Sequence, residues 1–144
     1  MLTTIGYQIN GKVNYALEGS VFVAGAVVQW LRDQLGMIND ASEIEALAQT
    51  VQNNGGVTFI PALAGLGAPY WDPHATGSIL GITRGTKKGH IARAALEAIA
   101  LRVREIVIEM QKDANTTFKS LNALGRIAHE HVTHQYPGGP HGPL

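Results

Sequence analysis

Two strand-like runs open the hydrophobic pattern, Leu2 to Ile9 and Lys12 to Leu17, parted by Asn10-Gly11. That dipeptide is the two-residue signal for a type I′ hairpin, so the pattern predicts an antiparallel ribbon. Past Glu18-Gly19-Ser20 the period changes. Val23, Val27, Leu31 and Leu35 recur every fourth position, which predicts a helix with Ser20 as its cap and Arg32, Asp33 and Gln34 as its polar exit. A second helix is expected from Ala41 or Ser42 to Val51, with Ser42 at the N-cap and Glu45 completing a capping box. Asn53-Asn54-Gly55-Gly56 stops it.

Val57 to Gly85 reads as strand, structured loop, strand. Val57, Phe59 and Ile60 form a short buried strand, Ser78 to Thr83 a second one. Between them Gly65, Gly67, Pro69 and Pro73 restrict the backbone, while Tyr70 and Trp71 bring area that a slack linker does not need. From Lys87 or Lys88 to about Asp113 the longest helix is expected, with Ile91, Ala95, Ile99, Val103, Val107 and Met110 on one face. Ala94, Ala98 and Leu101 widen that stripe into a largely buried helix. Arg93 and Glu97 can pair on its surface, where a solvated face is the simple reading. Phe118 to Leu121 can open another strand. Asn122 to Leu144 keeps no period and ends in Pro and Gly, which predicts a disordered tail.

Composition narrows the function classes. The 144 residues suffice for one core, with 45% apolar and 15% charged residues, net charge zero and no cysteine. No basic face argues for nucleic acid, no run is long enough to span a membrane, and no signal peptide is evident. Disulfides and thiolate sites are excluded, which fits a reducing, cytoplasmic setting.

Few residues offer chemistry by themselves. His129, Glu130, His131 and His134 do not have the H-E-x-x-H zinc spacing, and no helix is evident to present them, so no metal site is expected. Gly65-x-Gly67 is followed by Pro69 and then a strand, unlike a dinucleotide loop. Asp72 before Pro73 reads as a turn residue first and a base second. Gly25 is costly inside a helix by about 1 kcal/mol relative to alanine, so either a close-packed neighbour or a ligand uses the missing side chain. Gln29, four residues on, shares its face.

Leu2-Thr3-Thr4-Ile5, Tyr15 to Gly19, Val23-Ala24-Gly25 with Gln29 to Asp33, and above all Gly65-Leu66-Gly67-Ala68-Pro69-Tyr70-Trp71-Asp72-Pro73 together resemble the glycerol kinases of the FGGY sugar-kinase family. Gly81 to Gly85 with His90-Ile91-x-Arg93-Ala94-x-Leu96-Glu97 is similar to that family's second signature. The resemblance covers residues 1 to about 113. It implies an α/β fold, part of an actin-like, ribonuclease-H-like ATPase domain with a β-hairpin, further strands and a long buried helix. Residues 1–121 would belong to the C-terminal domain. It also implies transfer of the ATP γ-phosphoryl group to glycerol, with ATP and ADP, glycerol and Mg²⁺ as partners of a homo-oligomeric parent. Gly25 and Gln29 fall on the family's nucleotide-contacting glycine and glutamine, which turns the reading of Gly25 toward a ligand.

The same resemblance places the phosphate-cradling loop, the glycerol-binding residues, the catalytic aspartate and the Mg²⁺ ligands outside this chain, so the chain alone is expected to be inactive. From Asn122 the pattern departs from the family. Read one nucleotide later, codons for Pro137 to Gly142 can encode Q-A-D-L-M-G, a family segment, so residues 122–144 are expected to be an out-of-frame tail. Other readings are a pentulose kinase of the same family, a non-catalytic product that associates with intact kinase, and a His-tail metal module.

Overall fold

The computed structural model describes residues 1–118. The strand expected to open at Phe118, the histidine group and the expected disordered, out-of-frame tail all run into or lie outside the described residues. Seven elements follow in order: β1 (Leu2–Ile9), β2 (Lys12–Glu18), α1 (Gly25–Asp33), α2 (Glu43–Gln49), β3 (Thr58–Ile60), β4 (Ser78–Leu80) and α3 (Lys88–Asp113). The chain is therefore mixed α/β, with two separate antiparallel strand pairs, β1–β2 and β3–β4.

The hairpin forms as the pattern predicts. Asn10 and Gly11 take φ of 50° and 77°, the paired positive angles that a type I′ turn requires. The register runs from Leu2 opposite Glu18 to Ile9 opposite Lys12, with one irregularity between Ile5 and Tyr7.

Helix α1 departs from expectation at its start, while its end falls within the expected polar exit Arg32 to Gln34. It begins at Gly25 rather than near Ser20, its N-cap is Ala24, and no side chain caps it. It closes at Asp33, where Gly36 takes φ 55° and Met37 N–H bonds to the Leu31 carbonyl at 3.0 Å. Leu35 thus leaves the helical stripe and is exposed, while Ile38 enters the core in its place.

In α2 the capping box does not form. Ser42 holds the N-cap position, but its N–H and Oγ both donate to Asp40 Oδ1, at 2.8 and 2.6 Å, and Glu43 accepts from Asn39 N–H at 2.9 Å. Asp40, by accepting the N–H of the N-cap residue, does locally what the sequence pattern assigns to Glu45.

The core joins Val23, Val27, Leu31, Ile38, Ile44, Val57 and Phe59 to Ala92, Ala95 and Ile99 of α3. Alanines along the first half of α3 let α2 and β3 approach it, and this half is buried nearly all round. Its later half keeps Ile106 and Val107 inside, but Leu101 is exposed, contrary to the stripe that would include it. His90 Nδ1 accepts the Lys87 N–H at 3.0 Å and completes the first turn of α3. Strand β4 stops at Leu80 instead of Thr83, because Gly81 turns the chain away at φ 78°.

Arg93 and Glu97 do pair, at 3.1 Å, yet not as a solvated face. Glu97 also accepts from Asn54 Nδ2 at 2.8 Å, and Arg93 donates to the Val51 carbonyl at 3.4 Å. The pair fastens the turn after α2 to α3, with both side chains half-buried.

Candidate functional site

Residues 61–77 between β3 and β4 fold into a shaped loop. Leu66 and Asp72 exchange two backbone hydrogen bonds, at 2.8 and 3.0 Å, and the Gly67 carbonyl accepts from the N–H groups of Tyr70 and Trp71, both at 3.0 Å. The tip contains a cis Ala68-Pro69 bond and Trp71 at φ 53°. Asp72 Oδ1 accepts the His74 N–H at 2.9 Å, so the carboxylate serves the Asp-Pro turn.

Two glycines are dictated by neighbours. Gly65 has φ 80°, and a Cβ there would lie 2.8 Å from both the Asp72 carbonyl oxygen and Pro73 Cα. At Gly67 a Cβ would come within 2.6 Å of the Ser20 carbonyl oxygen and 3.0 Å of the Phe22 ring. The loop therefore presses directly on the segment that leads into α1. Trp71 reinforces the contact by meeting Phe22 edge to face, with ring centroids 6.3 Å apart.

From the other side α3 grips the loop through Arg102. Its Nη2 donates to the Ala68 carbonyl at 2.8 Å, its guanidinium lies 5.2 Å from the centre of the Tyr70 ring, and its Nη1 pairs with Glu105. Tyr70 donates its hydroxyl to the same Glu105. That hydrogen bond, with the nearby carboxylate charge, pushes the Tyr70 phenol above its ordinary pKa. Neither Arg102 nor Glu105 stands out in the sequence pattern, since nothing local links a helix charge to a loop so far back in the chain. An Arg and a Glu one turn apart on α3 are a weak hint, since Arg93 and Glu97 on the same helix are similarly spaced.

The expected nucleotide residues sit on α1. Gly25 is half-buried as the first helical residue, not an interior one, and Gln29 is exposed a turn later. The first turn has neither a side-chain cap nor an acidic side chain at the positive end of the helix dipole, and its Val27 N–H donates to the Ala24 carbonyl at 3.0 Å. On the same helix Arg32 donates to Asp33 at 2.6 and 3.0 Å, which holds the Asp33 carboxyl below its usual range. Both groups are exposed, so the pair contributes little to stability.

An open cavity of about 420 Å³ lies elsewhere, lined by Trp30, Phe59, Leu63, Gly65, His74 and Ser78 among others. Gly25 and Gln29 do not border it. The described residues contain no cluster of three or more His, Cys, Asp or Glu that could hold a metal ion. No helix among them is long and apolar enough to cross a membrane.

Residues 2–136 match the model of the FGGY family of carbohydrate kinases, C-terminal domain. The glycerol kinase of Herminiimonas arsenicoxydans is 52% identical over 140 residues, which is 94% of this chain and 28% of that protein. That of Dechloromonas aromatica is 54% identical over 136 residues, 94% of this chain and 27% of the relative. The chain thus spans about a quarter of the length of the curated relatives it matches. Among solved structures, Plasmodium falciparum glycerol kinase with ADP superposes with a TM-score of 0.72 at 42% identity, covering 81% of this chain and 23% of that one. A ligand-bound xylulose kinase from Lactobacillus acidophilus gives 0.64 at 31% identity, over 77% and 22%.

Proposed function

Because the chain belongs to the FGGY family of carbohydrate kinases, with the actin-like, ribonuclease-H-like fold of their C-terminal domain, we propose that it is part of a glycerol kinase. In this reading it carries one wall of the nucleotide cleft in an enzyme that moves the γ-phosphoryl group of ATP to glycerol. The observation that carries the choice of glycerol is the level of likeness. Identity to two glycerol kinases is 52% and 54%, and the structural match to one holding ADP is 42% identical against 31% for a xylulose kinase.

Phosphoryl transfer works mainly by positioning and by stabilising charge on the phosphates. Gly25 would let the nucleotide lie close against the start of α1, where the positive end of the helix dipole suits a polar or anionic group. Gln29 offers an amide that can both donate and accept one turn further along the same face. The Gly65–Pro73 loop is the support: through Gly67 and Trp71 it fixes the segment that sets where α1 begins. Mg²⁺ bound elsewhere in the parent would neutralise phosphate charge. The isolated chain is expected to be inactive.

A chimera tests the reading. Residues 1–118 of this chain replace the matching segment of the Dechloromonas aromatica glycerol kinase and, separately, that of the Lactobacillus acidophilus xylulose kinase, and ADP formation is followed with each host's own acceptor. The reading requires the glycerol kinase host to keep its activity and the xylulose kinase host to lose most of its own, and Gly25→Val or Gln29→Ala to raise KM for ATP by about tenfold, roughly 1.4 kcal/mol of binding. Activity kept only in the xylulose kinase host, or an unchanged KM for ATP in both variants, would sink it. For residues 122–144 the out-of-frame origin remains our proposal. The family match continues to residue 136, and sequencing the transcript decides whether the shifted frame encodes Q-A-D-L.

A further inference from the structure

With Gly25 and Gln29 read as nucleotide contacts, a reading on which this inference rests, we propose that Arg102 is a positioning residue for the nucleotide. From α3 it sets the Gly65–Pro73 loop, and the loop in turn sets where α1 begins. Backbone hydrogen bonds join Leu66 to Asp72 and Gly67 to both Tyr70 and Trp71, so residues 66–72 move as one piece. That piece is held from two sides. On one, Arg102 Nη2 donates to the Ala68 carbonyl at 2.8 Å, and Ala68 is fully buried. The Arg102 side chain, only 11% exposed, also pairs with Glu105, which accepts the Tyr70 hydroxyl. On the other side Gly67 lies against the Ser20 carbonyl, and Trp71 meets Phe22 edge to face.

Helix α1 needs such a support because its own sequence does not fix its start. Its N-cap, Ala24, has no side chain that can take up an N–H of the first turn. The start is instead set by what precedes it: Val23 enters the core, while Ser20 and Phe22 rest on the loop. Only Val23 and Ala24 separate Phe22 from Gly25, so a loop that shifts carries the first turn with it. A plain ion pair would ask less of Arg102. Neutralising Glu105 takes Nη1 alone, yet Nη2 is directed at the loop tip and the guanidinium also stands 5.2 Å from the centre of the Tyr70 ring. A rigid planar fork can meet all three partners at once, which a single ammonium cannot. Small displacements of groups that hold a substrate are costly to an enzyme, so a residue that fixes the first turn of α1 acts on the nucleotide without touching it.

Two readouts test this, one of them independent of activity. In the full 144-residue chain, Arg102→Met should speed amide exchange at Val28 to Trp30 of α1 by about threefold or more and leave Leu47 and Ala48 of α2 unchanged. In the Dechloromonas aromatica chimera the same substitution should raise KM for ATP by about threefold or more, with KM for glycerol unchanged. Added to Phe22→Ala, which removes the ring that Trp71 meets, it should do less than it does alone. Should Arg102→Met not fold, Arg102→Lys takes its place: it keeps a charge beside Glu105 but lacks the fork that also reaches Ala68, and the same shifts are expected. Equal acceleration in α1 and α2, a fall in kcat with KM for ATP unchanged, a parallel rise in KM for glycerol, or full additivity with Phe22→Ala would each reduce Arg102 to a structural role and overturn the proposal. If Gly25→Val and Gln29→Ala leave KM for ATP unchanged while α1 exchange responds to Arg102→Met, the nucleotide reading fails and takes the proposal with it, although the link from Arg102 to α1 stands. If those two raise KM and Arg102→Met does not, the failure belongs to the role of Arg102 alone.

Discussion

The two strand pairs of this chain are closed in opposite ways. β1–β2 is joined by Asn10 and Gly11 alone and stands almost clear of the core, whereas β3–β4 is joined by residues 61–77 and lies against α3 and Trp30. The first pair is specified by its own turn chemistry. The second contains only three residues in each strand and owes its geometry to what surrounds it. Local signals can therefore fix a ribbon that has no cover, and tertiary contacts can fix one whose strands are too short to persist alone.

That contrast can be broken by substitutions whose effects should fall in different places. Phe59→Ala should be the most damaging, since the ring is buried and meets Trp30 edge to face at 6.2 Å. A loss of about 3–5 kcal/mol is expected from urea unfolding, with exchange at the β1–β2 turn unchanged. Arg102→Ala should cost about 1–3 kcal/mol, because it strands the buried Ala68 carbonyl and leaves Glu105 without its cation. The environment of Trp71, read by fluorescence, should loosen with it, while the β1–β2 ribbon stays as it was.

Gly11→Ala should act only on the first ribbon. With φ at 77° a side chain is strained by about 1 kcal/mol, so amides near Ile9 and Val13 should exchange faster while the unfolding midpoint barely moves. If Gly11→Ala lowered global stability as much as Arg102→Ala, the ribbons would not be independent. The smallest effect concerns pH. Tyr70 has its folded-state pKa raised by the hydrogen bond to Glu105, so the stabilisation is complete below the usual tyrosine value near 10 and is lost as pH rises through the higher folded value. Absorbance at 295 nm should show one phenol ionising late, and Tyr70→Phe should remove that step. Tyr70 is exposed, so screening keeps the effect on stability small.

What could be read from the chain alone follows the same division. The bounds of α3 were evident because Lys88–Asp113 repeats its period over 26 residues, and the hairpin because Asn10-Gly11 admits few alternatives. The start of α1 was not. Ser20 has the chemistry of a cap, but the carbonyl of that residue is packed against Gly67, and the helix starts five residues later. Ser42 and Glu45 had the spacing of a capping box, yet Asp40, two residues ahead, took both donors of Ser42. Leu101 fell on the apolar stripe of α3, but none of the described elements buries it. At the candidate site, Gly25 and Gln29 were identified by resemblance, while the support that holds their helix in place, Gly67 with Phe22 and Trp71, depends on contacts that sequence spacing does not encode. At Ser20 a partner distant along the chain displaced a plausible local choice, whereas at Ser42 a nearer side chain did.

The clamp at Arg102 also bears on how the chain is made. Its acceptor at Ala68 precedes it by 34 residues, so on a ribosome adding about 5–20 residues each second the loop emerges seconds before the side chain that will grip it. Over that interval the Tyr70 ring has no α3 to lean on, and a chaperone that recognises bare aromatic segments would find its opening there, during synthesis rather than after release.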